Sequence, residues 1–264
     1  MTSRSTKASP ESLLSIQGIH KSFGGVRVLE GVTFAAPTTG LSGMIGPNGA
    51  GKSTLFSIIT GFQPGNAGSI HFKGQNITAL SAMERVCLGM GRTFQVPREF
   101  GSLTVRENLM AAAPNQTGEG LLSIFLRPGK IRAEEDRIAE EADGWLSFLN
   151  LSHLADKPAS GLSGGQRKLL ELGRALMVKP GMILLDEPFA GVNPVLIGEI
   201  SERIAELSSK GIGFLIVEHN LPGLSRLVET LFVLDNGVLL AEGDPDTVLA
   251  DPRVREAYMG GAAS

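Results

Sequence analysis

Gly46-Pro47-Asn48-Gly49-Ala50-Gly51-Lys52-Ser53 matches the pattern G-x-x-x-x-G-K-[ST] at every fixed position. The short apolar run Leu41 to Ile45 leads straight into it, and Thr54 to Thr60 reads as the opening of a helix. Strand, glycine loop and helix in that order make a cradle for phosphate. Glycines let the backbone wrap an anion, and several N–H groups then converge at a helix N-terminus. Lys52 is placed to neutralise β- and γ-phosphates, and the Ser53 hydroxyl to ligate Mg²⁺. These eight residues and Thr54 are the candidate nucleotide contacts.

Upstream of the loop, Leu13 to about Ile77 is strand-like, with turns at Gly24-Gly25, Pro37 and Pro64-Gly65. Downstream, Ala79 to Met90 reads as a helix and Gly91 to Gly101 as a loop. From about Thr104 to Leu151 the pattern turns helical, with breaks near Pro114 and Pro128. Its best helix is Ile131 to Leu149, with Ile138, Trp145, Phe148 and Leu149 on the apolar side. Glu134, Glu135, Asp136, Glu140 and Glu141 are read as its solvated face. A turn at Leu162 to Gly165 opens a helix over Gln166 to Val178. The apolar strands Met182 to Leu185 and Ile212 to Val217 bracket a helix at Ile200 to Leu207. Asp235-Asn236-Gly237 joins Leu231–Leu234 to Val238–Ala241 as a hairpin. Continuous apolar strands alternating with helices imply a parallel sheet covered on both faces.

Two further strings complete a phosphate site. Met182-Ile183-Leu184-Leu185-Asp186-Glu187 places Asp186 at the carboxyl end of a buried strand, where it can hold Mg²⁺. Glu187 follows in the position of a general base that polarises an attacking water. Leu162-Ser163-Gly164-Gly165-Gln166 is a helix N-cap with N–H donors free for an anion.

Taken together, in this order, the three strings resemble the ATP-binding-cassette (ABC) ATPases, from about Leu13 to Gly260. The resemblance implies an α/β fold: a RecA-like nucleotide-binding core, residues 13–95 and 164–245, with an N-terminal antiparallel β subdomain. It further implies an inserted helical subdomain, 96–163, a C-terminal helix and tail, 246–264, and a disordered tail, 1–12. ATP and Mg²⁺ are the implied cofactors. Ser163, Gly164, Gly165 and Gln166 would cap the ATP held by the phosphate loop of a second ATPase subunit, a copy or a paralogue. Gln95, in Arg92-Thr93-Phe94-Gln95, falls where the family has the glutamine that touches Mg²⁺ and the attacking water. The loop through Val96, Pro97, Arg98, Glu99 and Phe100 would face a permease helix. His219, in Val217-Glu218-His219-Asn220, matches the histidine that senses the γ-phosphate. Phe23 sits at the adenine-stacking position, where tyrosine is commoner; a place in the core is the alternative. In Phe189-Ala190-Gly191-Val192-Asn193-Pro194 an asparagine stands where many members have an aspartate, leaving the hydrogen bonding across the dimer open.

Composition narrows the branch. Of 264 residues 42% are apolar, and 24 Lys+Arg against 27 Asp+Glu give a net charge of −3, so a nucleic-acid partner is not expected. No apolar run nears the roughly 20 residues of a membrane span, and Met1 to Pro10 has no signal-peptide core. Any transport role therefore needs separate integral-membrane subunits. The single cysteine, Cys87, fits a reducing compartment and is read as a small buried hydrophobe. His20, His71, His153 and His219 show no metal-ligand spacing.

Gly91-Arg92-Thr93-Phe94-Gln95, Leu103 to Leu109, Ala190 to Pro194 and the ending Asp251 to Gly260 resemble the ATPase subunits of branched-chain amino-acid importers. The segment from Pro114 to Asp143 resembles the longer of their two ATPases. That likeness implies two permease subunits, an external solute-binding protein acting indirectly, and a peripheral place on the cytoplasmic face of the inner membrane. The alternatives are a lipopolysaccharide-export-type ATPase, which shares Phe189-Ala190-Gly191-Val192 and a related tail, and a soluble phosphate-loop kinase or GTPase.

Overall fold

The computed structural model describes residues 12–93, 99–114, 116, 128–219 and 221–260. Three short strands with every residue buried, β3 (Leu41–Ile45), β7 (Met182–Asp186) and β8 (Gly213–Val217), form the centre of the molecule. They belong to a six-stranded sheet completed by β6 (Met90–Arg92), β9 (Thr230–Asp235) and β10 (Val238–Gly243), in the order β10-β9-β3-β8-β7-β6. All neighbours are parallel except the β9–β10 hairpin. Its turn, Asn236-Gly237, holds both residues at positive φ (45° and 77°), as a tight two-residue hairpin demands.

Because side chains alternate along a strand, this sheet feeds two cores. Ile183, Leu185, Phe214 and Ile216 pack on one face among the helices. Met182, Leu184, Leu215 and Val217 pack on the other, against helix α1 (Lys52–Ile59) and a second sheet. That second sheet is antiparallel, with β1 (Ser12–Phe23) and β2 (Val26–Pro37) beside β4 (Ala67–Phe72) and β5 (Gln75–Asn76), in the order β2-β1-β4-β5. The expectation of a sheet covered on both faces holds.

The helices on the first face are α3 (Val105–Met110), α4 (Pro128–Phe148), α5 (Gly164–Leu176) and α6 (Pro194–Ser209). Ile138, Ala142, Leu146 and Leu149 bury one stripe of α4 and its C-terminal end against Leu109 and Leu169, while Glu135, Asp136 and Glu140 face solvent. Short helices α7 (Leu221–Ser225), α8 (Pro245–Ala250) and α9 (Pro252–Gly260) finish the chain. Among the described residues no helix is long and apolar enough to cross a membrane.

Two sequence expectations need correction. The helix read over Ala79 to Met90 is only α2 (Ala82–Cys87), capped by a Ser81–Glu84 box; Met90 instead starts β6 and pairs with Met182. Cys87 is exposed, not buried. The residue that α2 buries is Arg85, whose guanidinium donates to the Ile58 and Ile59 carbonyls at 2.7 and 2.6 Å. It thereby satisfies carbonyls at the C-terminus of α1, the helix that carries the phosphate loop.

Candidate functional site

Parallel strands β3, β8 and β7 are neighbours, so the segments leaving their carboxyl ends meet at one edge of the sheet. That edge is where ligands bind in open α/β sheets. Residues 46–53 leave β3, Glu218 and His219 leave β8, and Asp186 and Glu187 end β7.

The loop into α1 is built for close approach. A Cβ on Gly46 would lie 2.0 Å from the Leu234 carbonyl oxygen, so only glycine fits there. Gly51 starts α1 at φ 100°, in the left-handed region, and no side chain caps the helix. First-turn amides are thus left available at the loop, with no side-chain cap among the described residues. Asn48, Gly49 and Ser53 are exposed, Pro47, Gly51 and Thr54 half-buried, and Gly46, Ala50 and Lys52 buried. Lys52 is only 6% exposed and donates to the Gly46 and Pro47 carbonyls at 2.7 and 2.9 Å. It is folded onto its own loop rather than standing in solvent. Burial pulls its pKa down, opposed by the charges of Glu187 and Asp186.

Facing it, Glu187 Oε1 lies 3.0 Å from His219 Nε2. Glu187 occupies φ 50°, a conformation that costs a non-glycine residue about 1–3 kcal/mol. Its backbone is held by N–H donation to the Val217 carbonyl (2.9 Å), while its own carbonyl accepts from Lys168 Nζ (3.2 Å). The neighbouring carboxylate, Asp186, is buried, which raises its pKa; the Arg92 guanidinium at 3.4 Å works against that shift. Arg92 is itself anchored to Thr60 Oγ1 at 2.8 Å.

Ser163 caps α5, accepting from the Gln166 N–H at 3.3 Å while Gln166 Oε1 accepts from the Ser163 N–H at 2.9 Å. Helix α5 therefore begins at Gly164, two residues before the sequence reading placed it. Gly165 is buried beneath Leu196, whose Cδ2 would sit 1.6 Å from an added Cβ, so α5 and the start of α6 touch. Asn193 caps α6, accepting from the Leu196 N–H at 3.0 Å. Among the described residues no hydrogen bond or ion pair joins 163–166 to 46–54. Phe23 is 46% exposed, with Lys21 Nζ 5.0 Å from the ring centroid, so it is not a core residue. Gln95 lies outside the described residues, as do Val96, Pro97 and Arg98.

The sequence reading missed Arg92, Lys168 and Glu218 beside the acidic pair. It also missed Tyr258 of α9, whose buried hydroxyl faces the Gly46 backbone amide. Burial pushes that phenol up to about 12. Arg92 and Glu218 stand inside strings already quoted for their neighbours, which was the available signal.

Residues 29–190 match the ABC transporter family, and 238–264 match the C-terminal family described as branched-chain amino acid ATP-binding cassette transporter. The chain is 42% identical to a probable branched-chain amino acid transport ATP-binding protein LivG of Methanocaldococcus jannaschii, covering 94% of this chain and 97% of the relative. It is 34% identical to the high-affinity branched-chain amino acid transport ATP-binding protein LivG of Escherichia coli K12, covering 96% and 99%. A crystal structure of a nucleotide-free ATP-binding cassette from an ABC transporter superposes with a TM-score of 0.83 at 42% identity, covering 94% of this chain and 98% of that one. The ADP conformation of such a cassette gives 0.82 at 41% identity, covering 94% and 99%. These matches displace the reading as a soluble kinase or GTPase. With a glycine-forced loop ahead of an uncapped helix and a Glu187–His219 pair on the adjoining strands, the chain belongs to the ABC transporter family, as an ATP-binding subunit and an ATPase coupled to transport.

Proposed function

We propose that this ATPase energises an importer of branched-chain amino acids, and that ATP drives two ATPase subunits together head to tail. The Glu187–His219 contact of 3.0 Å carries the catalytic part of the reading. Glu187 takes the proton of the attacking water, and His219 orients that carboxylate and contacts the γ-phosphate. Lys52 leaves the Gly46 and Pro47 carbonyls for the β- and γ-phosphates, while loop amides bind the phosphate oxygens. Phe23 offers an open face to adenine.

The donor set suits Mg²⁺, a hard ion that keeps phosphate oxygens and water and needs few protein ligands. Ser53 and Asp186 would hold it, with Gln95, from its place in the sequence motif, as a further contact. When bound, Mg²⁺ neutralises charge on the transferring phosphoryl group.

Ser163, Gly164, Gly165 and Gln166 cap the partner subunit's nucleotide. Among the described residues of one chain no bond joins them to the phosphate loop, in keeping with a site completed by a second subunit.

A groove of about 390 Å³ lined by Val86, Arg92, Phe100, Ala112, Glu171 and Arg174 lies between the sheet and the helices. It suits a short permease segment, at the cytoplasmic face of the membrane. The named relatives and the matched tail at 238–264 support branched-chain amino acids as the cargo. Co-expression with the neighbouring permease and binding-protein genes, followed by reconstitution in vesicles, tests the reading. ATP-dependent uptake of leucine or isoleucine that is lost in Glu187→Gln is expected. ATP-dependent lipopolysaccharide release without amino-acid uptake would overturn it in favour of the export branch.

A further inference from the structure

Glu218 precedes His219 and is 2% exposed, a carboxylate set in the core. Its two oxygens are engaged in different loops. Oε1 accepts from the Phe189 N–H at 2.6 Å, and Oε2 accepts from the His219 N–H at 3.0 Å. Phe189 is buried and stands two residues beyond Glu187, in the turn that follows β7. One carboxylate therefore bridges the turn that carries Glu187 and the turn that carries His219, from strands that are neighbours in the sheet.

The Glu187 N–H also donates to the Val217 carbonyl, at 2.9 Å. The Glu187–His219 side-chain contact joins the same two turns. Glu187 also sits at φ 50°, a conformation that persists only when its surroundings impose it. Bonds from a buried carboxylate to backbone amides are short and strong, and suited to imposing it. A carboxylate is an expensive way to fill core volume, since an apolar side chain would do so without desolvating a charge. Its value here lies in having two acceptors aimed at two loops.

We propose that Glu218 is a positioning residue for hydrolysis, clamping the Glu187 turn and the His219 turn so that the pair meets the γ-phosphate and its water as one unit. The inference rests on the proposed roles of Glu187 and His219. In this role Glu218 acts through the backbone of both turns, by the bonds to the Phe189 and His219 N–H groups.

Glu218→Gln separates this from a packing role. The amide keeps the shape but has one acceptor oxygen, and its NH₂ meets a backbone donor, so one arm of the clamp opens. Per folded molecule, kcat should fall by about tenfold to a hundredfold, the scale of misplacing a reacting group by an ångström or less. KM and the ATP dissociation constant should stay within about twofold, because phosphate binding belongs to residues 46–54. Glu218→Asp keeps the charge but cannot span both loops, and should fall likewise. Adding Glu218→Gln to Glu187→Gln should cost little further, since residues that act as a unit are not additive. Unchanged kcat, a parallel loss of ATP affinity, or a full multiplicative loss in the double variant would overturn the proposal. So would failure of both single variants to fold, which would assign the carboxylate to stability alone. A Glu187→Gln protein that hydrolyses at the normal rate would instead overturn the underlying assignment of the base, whatever Glu218 does.

Discussion

The Glu187 carboxylate and the His219 imidazole are 3.0 Å apart although they leave different strands, and neither is fully buried: their side chains are 17% and 45% exposed. Two polar groups held together at a partly exposed sheet edge, beside a glycine loop that opens α1 with no side-chain cap, suit a base that must meet both a phosphate and a water molecule.

Glu187→Gln keeps the shape and the hydrogen bond to His219 but removes the proton acceptor. Steady-state ATPase assays should show at least about a hundredfold lower kcat, the scale of losing a positioned general base. ATP should still bind, because no phosphate contact is assigned to Glu187.

Lys52→Ala removes a buried ammonium together with its two bonds to the Gly46 and Pro47 carbonyls. The lost hydrogen bonds and the relieved desolvation oppose each other, so nucleotide-free stability should move by no more than about 1–2 kcal/mol in either direction. Stabilisation by Mg-ATP, which follows from binding to the folded state alone, should disappear. Thermal unfolding with and without nucleotide measures both. A variant that still gains several degrees with Mg-ATP would contradict the role given to Lys52.

Asn193 caps α6 in the isolated subunit, whatever it does across a dimer. Asn193→Ala should cost about 0.5–2 kcal/mol in denaturant unfolding. Asn193→Asp should be neutral or slightly stabilising, since an aspartate caps equally well and favours the positive end of the helix.

The glycine loop, the buried strands and the Asn236-Gly237 hairpin were legible because each has a local cause: forced close approach, continuous apolar runs, or two residues at positive φ. Strand β6 was not. Three residues carry no periodicity, and what makes Met90 to Arg92 a strand is pairing with Met182 to Leu184, far along the chain. Cys87 was misplaced because residue type alone favours burial of a small thiol, whereas the short α2 turns Arg85 inward to serve the end of α1 and leaves Cys87 exposed. At the site, the residue types that carry chemistry stood out, but their holders did not. Glu218, Arg92 and Tyr258 act by reaching another strand or loop, and no spacing rule in one sequence reports that.

Tyr258 is the only tyrosine in the chain, so its ionisation can be followed alone. Its folded pKa is raised, to about 12, chiefly by burial, while the unfolded value is about 10. The neutral phenol is thus favoured in the folded state. Its contribution to stability is complete below about pH 10 and is lost as pH rises from about 10 through about 12. Tyrosinate absorbance near 295 nm should appear about two pH units later in native protein than in urea. Coincident titrations would show that α9 does not bury this hydroxyl against the phosphate loop.

In the proposed head-to-tail dimer the phosphate loop of one subunit and residues 163–166 of another share one nucleotide. Light scattering of Glu187→Gln, with and without Mg-ATP, tests it most directly, with Glu187→Gln, Ser163→Arg as the comparison. An ATP-dependent shift to a dimer is expected for the single variant, alone or mixed with a paralogous ATPase. A monomer is expected for the double variant, whose long cation fills the capping site. A double variant that dimerises as readily as the single one would contradict it.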